Sequence, residues 1–124
     1  MIAEIEEAIR THRAWSRRLR VAIETSEFGQ SVEDVLNDRN CEFGKWLYGD
    51  SISEVTKRQY GYHNILSHHS TFHRYAATVL SLALAGKKDE ALKCMDANSE
   101  YELASTLLIH SLLAWHGDLQ QQHR

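Results

Sequence analysis

Proline is absent from the 124 residues, and glycine occurs only six times. Without proline nothing breaks the i→i−4 hydrogen bonds of a long helix, and so few glycines leave little material for the turns of a many-stranded fold. Two cysteines cannot form a disulfide framework, and a bacterial-type cytosol would keep both reduced. No apolar run approaches the roughly 20 residues that span a bilayer, so no membrane insertion is expected. The opening Met-Ile-Ala-Glu-Ile-Glu-Glu is acidic and periodic, unlike a signal peptide. A formal charge of −3 gives no general attraction to nucleic acid or to an anionic membrane. What remains, 43% apolar and 25% charged residues, is the balance of a globular protein. The expectation is a single domain over residues 1–124, in the cytoplasm, with a frayed tail from about residue 117.

The apolar periodicity reads as helix throughout. Ile2, Ile5, Ala8/Ile9, His12, Trp15, Leu19 and Ala22/Ile23 alternate three- and four-residue steps and predict a first helix from about Ile2 to Thr25. Phe28-Gly29-Gln30-Ser31 should break it, with Ser31 and Asp34 capping a short second helix. Asn40 is the expected cap of a short segment carrying Cys41, which Tyr48-Gly49-Asp50 ends. A long helix is expected from Ser53 to Ala85, with Val55, Tyr62, Ile65/Leu66, His69, Phe72/His73, Ala76, Val79/Leu80 and Ala83 along its seam and Gly86 as its stop. A last helix from about Lys88 to Trp115 would bury Leu92, Met95, Leu103, Leu107 and Leu113. The fold class is all-α, an antiparallel four-helix bundle with a short extra helical segment carrying the cysteine.

Against this background His12, His69 and His73 stand out, because each lies inside an apolar seam. A buried imidazole without a polar partner costs about 1–3 kcal/mol, so three of them require an explanation. His69 and His73 stand four residues apart, on one face of one helix. Cys41 supplies a thiol between the two helices. Three imidazoles and a thiolate are borderline-soft donors that complete a tetrahedron around Zn²⁺, whereas calcium and magnesium want carboxylates and carbonyls. His-Glu-x-x-His and Glu-x-x-His are both missing, which argues against a metalloprotease and against a di-iron site. His63, His68, His110, His116 and His123 are expected off the site, and Cys94 reads as a small apolar residue.

The arrangement His12-x-x-Trp15, Cys41-x-Phe43-Gly44-x-Trp46, His69-x-x-x-His73 resembles the chemoreceptor zinc-binding domain, a bacterial module. Its first His precedes a large apolar residue by three positions. A Cys-x-apolar-Gly-x-apolar core follows, then a His-x-x-x-His pair, and the intervening stretches 16–40 and 47–68 suit the family. The resemblance implies one zinc ion per chain, held by His12, Cys41, His69 and His73, with Trp15 and Trp46 as shielding. It further implies a homodimer that modulates a signalling partner, a chemoreceptor or a diguanylate cyclase, according to zinc occupancy or oxidation of the bound cysteine.

Four protein ligands leave no open position for water or substrate, so no enzyme is expected. Two other readings stay open at this point: a purely structural, zinc-stabilised dimerisation module, and a metal-dependent helical-bundle enzyme or oxygen binder. Arg10, Arg13, Arg17, Arg18 and Arg20 make one side of the first helix basic, and Asp89, Glu90, Asp96, Glu100 and Glu102 make the last helix acidic. The basic stripe is most simply a solvated face. It is otherwise a docking stripe, or a partner of the acidic helix within the chain or across a dimer.

Overall fold

The computed structural model describes residues 1–122 and is all-helical over that range. In chain order the helices are α1 (Ile2–Thr25), α2 (Val32–Leu36), α3 (Glu42–Leu47), α4 (Glu54–Lys57), α5 (Tyr60–Leu84), α6 (Lys88–Lys93) and α7 (Glu100–Gln122). The three long helices α1, α5 and α7 pack on one another, and α2 lies on α5.

Helix α1 spans the expected residues, and its whole seam from Ile5 to Ile23 is buried. It stops where Ser26 takes the left-handed conformation (φ 58°). Ser31 and Asp34 close α2 with the reciprocal side-chain to backbone bonds of a capping box.

Three expectations need correction. Ser53 caps the single turn α4 instead of the long helix; the chain breaks at Arg58–Gln59, and Val55 is left 67% exposed. The expected last helix is two helices, because Asp96-Ala97-Asn98-Ser99 offers N-cap chemistry in mid-pattern and the Ser99 hydroxyl accepts the Glu102 N–H. Of the expected core residues there only Met95 is buried; Leu92, Leu103, Leu107 and Leu113 face outward. The buried face of α7 is Tyr101, Ala104, Leu108, Ile109, Leu112, Trp115 and Leu119, so the helix is rotated from the expected orientation. Leu119 anchors α7 beyond residue 117, where fraying is expected; His123 and Arg124 lie outside the described residues.

Contacts along α7 fix directions. Phe72 lies beside Tyr101, Asn64 donates to Ser111, and Gly61 sits under Trp115, so α5 and α7 run in opposite senses. Ser16 bonds Tyr101, and His116 approaches Glu6, so α1 also runs opposite to α7. None of the α1 arginines pairs with the acids of α6 and α7 among the described residues. Arg10 pairs with Glu7, and Arg18 lies over Trp15 and Phe28.

Gly44 explains how the short α3 is seated. A Cβ there would come within 1.8 Å of the Asp38 carbonyl oxygen, and backbone cannot step aside as a flexible side chain can. Gly44→Ala should therefore lower stability by about 1–3 kcal/mol or more in urea unfolding. An unchanged midpoint would mean that this close approach does not matter to the fold.

Candidate metal centre

His12 reaches the site from the middle of α1, His69 and His73 from successive turns of α5, and Cys41 from the start of α3. One donor atom from each falls in a group whose members all lie within 4.8 Å of one another. The imidazoles are sealed: His12 is 2%, His69 0% and His73 1% exposed, while Cys41 is half-buried. The His69 Nε2 atom lies 3.0 Å from the Nε2 of His73 and 3.4 Å from the Cys41 Sγ.

The outer ring nitrogens define what the inner ones can do. His12 Nδ1 is 2.7 Å from the Ala8 carbonyl oxygen, and His73 Nδ1 is 2.9 Å from that of Val35. A carbonyl only accepts, so both Nδ1 atoms carry the hydrogen and both Nε2 atoms present lone pairs. His69 Nδ1 faces the Asp38 carboxylate at 3.5 Å, long for a hydrogen bond but the same polarity of arrangement. Two lone pairs, of His12 and His73, thus converge with the His69 Nε2 and a sulfur, and His12 Nε2 has no hydrogen-bond partner at all.

Burial, and then the neighbouring His69, push His12 down to about 3 and His73 down to about 4. Both imidazoles are neutral near pH 7, as metal ligation requires. Cys41 is the N-cap of α3, one residue later than the expected Asn40, and its sulfur accepts the Gly44 N–H at 3.2 Å. Burial pushes the thiol up; the Gly44 N–H opposes that, while the Asp38 charge reinforces it. A zinc dication beside the sulfur would supply the counter-charge that a thiolate needs there.

The donor set suits zinc: three imidazoles and one sulfur, beside the rings of Trp15, Phe43 and Phe72, with no carboxylate among the four. A scan against family models finds the chemoreceptor zinc-binding domain over residues 12–80. This chain belongs to that family. No curated protein and no solved structure matches the chain. As a chemoreceptor zinc-binding domain it has His12, Cys41, His69 and His73 gathered as one potential zinc site. His63 and His110 are exposed, and His116 is turned toward Glu6, so these three stand apart from the cluster.

Sequence reasoning missed Asp38. It orients His69, and Tyr48 donates to the same carboxylate oxygen at 2.8 Å; chiefly through His69, its carboxyl is held below the usual range. Nothing in the local sequence marks it, because its partner lies far along the chain. Such outer acceptors fix the ring and raise the basicity of the ligand. Asp38→Asn should weaken zinc binding about 10–100-fold in a competition titration while leaving the helical circular dichroism unchanged. Unaltered affinity would reduce Asp38 to a partner of Tyr48.

Proposed function

We propose that this domain is a zinc-responsive sensor: His12, Cys41, His69 and His73 hold one zinc ion per chain, and its occupancy biases a signalling partner of the chemoreceptor or diguanylate cyclase type. The observation that carries the reading is the convergence of imidazole lone pairs on a buried point beside a thiol. A zinc dication supplies the positive charge that makes this convergence favourable. With four protein donors no position stays open for a substrate, which supports a regulatory role over catalysis and over an oxygen-binding bundle.

The mechanism follows from where the ligands sit. His12, Cys41 and the α5 pair join three elements of very different stability. Helices α1 and α5 have long buried seams, while α3 has six residues and is held by Phe43, Leu47 and the close approach at Gly44. Loss of the Cys41 bond therefore frees the α2–α3 segment first, a small element whose two states ligation can bias. Oxidation of the Cys41 sulfur is a second trigger with the same consequence, since a thiolate oxidises readily and imidazole does not. Cys41→Ala should lower zinc content yet keep the helical circular dichroism, whereas His69→Ala with His73→Ala should abolish zinc binding. Collapse of helicity in Cys41→Ala would make the site structural, the rival reading.

We also propose a cytoplasmic homodimer. Its support is the outer face of α7: Leu103, Leu107, His110, Leu113 and Ala114 are exposed, and no Asp, Glu, Lys or Arg occurs between Leu103 and Gly117. An uncharged leucine stripe over residues 103–114 is unusual on a solvated surface and ordinary in a helix–helix seam. Arg13, Arg17 and Arg20, without partners on α6 or α7 of their own chain, are available to the acids of a second copy. Within each copy we read an antiparallel four-helix bundle, with the α2–α3 segment standing in the fourth position. Light scattering should give a dimer mass for the wild type and a monomer for Leu107→Glu at unchanged zinc content. A Leu107→Glu dimer would move the interface elsewhere.

A further inference from the structure

The three histidines of the cluster are not oriented alike. His12 and His73 face backbone carbonyls at 2.7 and 2.9 Å, and a backbone acceptor is fixed by the chain that carries it. His69 Nδ1 faces a side chain, the Asp38 carboxylate, at 3.5 Å. A carboxylate turns about two single bonds, so it orients a ring only if something else holds it. At that distance the contact is loose, and its strength depends on where the oxygen is kept.

Tyr48 is what keeps it. Its hydroxyl donates at 2.8 Å to Asp38 Oδ2, the same oxygen that His69 Nδ1 faces. Tyr48 is the C-cap of α3, and the backbone on either side of it is tied down independently of the metal centre. The Leu47 carbonyl accepts the Tyr62 hydroxyl of α5 at 2.9 Å, and the Gly49 carbonyl accepts Lys57 Nζ of α4 at 2.9 Å. The Arg39 guanidinium lies 4.0 Å from the centroid of the Tyr48 ring. Arg39 forms no ion pair with Asp38 among the described residues, so the carboxylate keeps its accepting capacity for His69. At the other end of α3 the Asp38 backbone carbonyl lies 3.8 Å from the Cys41 sulfur and is closely approached by Gly44. Asp38 is therefore held by both ends of one short helix.

We propose that Tyr48 is a positioning residue of the zinc site: its hydroxyl holds the Asp38 carboxylate toward His69 Nδ1 and so fixes the ring whose other nitrogen joins the cluster. This role rests on the zinc reading and extends it. Helix α3 acts on the site at both ends, supplying a thiol at its start and, through Tyr48 and Asp38, an oriented imidazole at its finish. A rearrangement of α3 then weakens two of the four ligands together, one of them on a different helix.

The test is zinc affinity, by competition titration, of Tyr48→Phe, which removes the hydroxyl and keeps the ring beside Arg39. About three- to tenfold weaker binding is expected, less than the loss on removing the outer acceptor itself. The same loss is expected in a Cys41→Ala background, where three imidazoles remain, and no more than about a twofold change in an Asp38→Ala background. Unchanged affinity of Tyr48→Phe would overturn the proposal. So would a loss that vanishes without Cys41, which would mean that the hydroxyl acts on α3 alone, or a loss that persists without Asp38. If the Cys41→Ala site binds too weakly to titrate, exchange of the His69 Nδ1 proton in the zinc-loaded domain decides by NMR. Faster exchange with water in Tyr48→Phe than in wild type is expected, and an equal rate would contradict the proposed role. A wild-type chain that carries no zinc would overturn the zinc reading itself, and this role with it.

Discussion

Two imidazoles, His12 and His73, each fixed by a carbonyl at the outer nitrogen, turn their inner lone pairs toward one interior point that His69 and Cys41 also face. The rest of the architecture depends on that arrangement. The Nε2 atoms of His69 and His73 lie 3.0 Å apart, a separation that a shared cation would satisfy by accepting a lone pair from each. The acceptors that impose it come from three places: the α1 backbone at Ala8, the end of α2 at Val35, and the Asp38 carboxylate ahead of α3. The short helices are therefore bound into the site twice, through Cys41 as donor and through Val35 and Asp38 as orienting groups. In the proposed mechanism, release of the metal loosens the segment that orients the ligands.

That coupling separates a sensor from a staple. Zinc fingers without metal lose their fold because they have little else to hold it. Here α1, α5 and α7 bury most of a core that runs from Ile5 to Leu119, to which α2 and α3 add Val35, Phe43 and Leu47. The metal-linked part is small, lies at the edge of that core, and includes the one ligand residue that is partly exposed. Its free energy of rearrangement can be a fraction of the global stability, which is what a regulatory element needs.

The four residues of the potential zinc site are legible in the sequence because their chemistry conflicts with their positions. His12, His69 and His73 fell in apolar seams where imidazole has no reason to be, and periodicity alone placed α1 and the core of α5 correctly. The last third of the chain was read less well, for an equally physical reason. Helix α7 carries leucines on both faces, so its hydrophobic pattern has almost no direction, and the choice of inward face falls to partners such as Ser16 and Gly61 that no local signal reveals. Asp38 was invisible for a related cause. A carboxylate on a loop looks like any other until the fold brings a distant histidine to it. The family resemblance supplied the remaining step, from four compatible residues to one zinc site, and the domain match over 12–80 agrees with it.

X-ray absorption at the zinc edge of the loaded domain tests the central claim most directly. The account predicts one sulfur at about 2.3 Å and three imidazole nitrogens at about 2.0–2.1 Å, with the sulfur shell lost in Cys41→Ala. A first shell of nitrogen and oxygen alone, or one with two sulfurs, would contradict it.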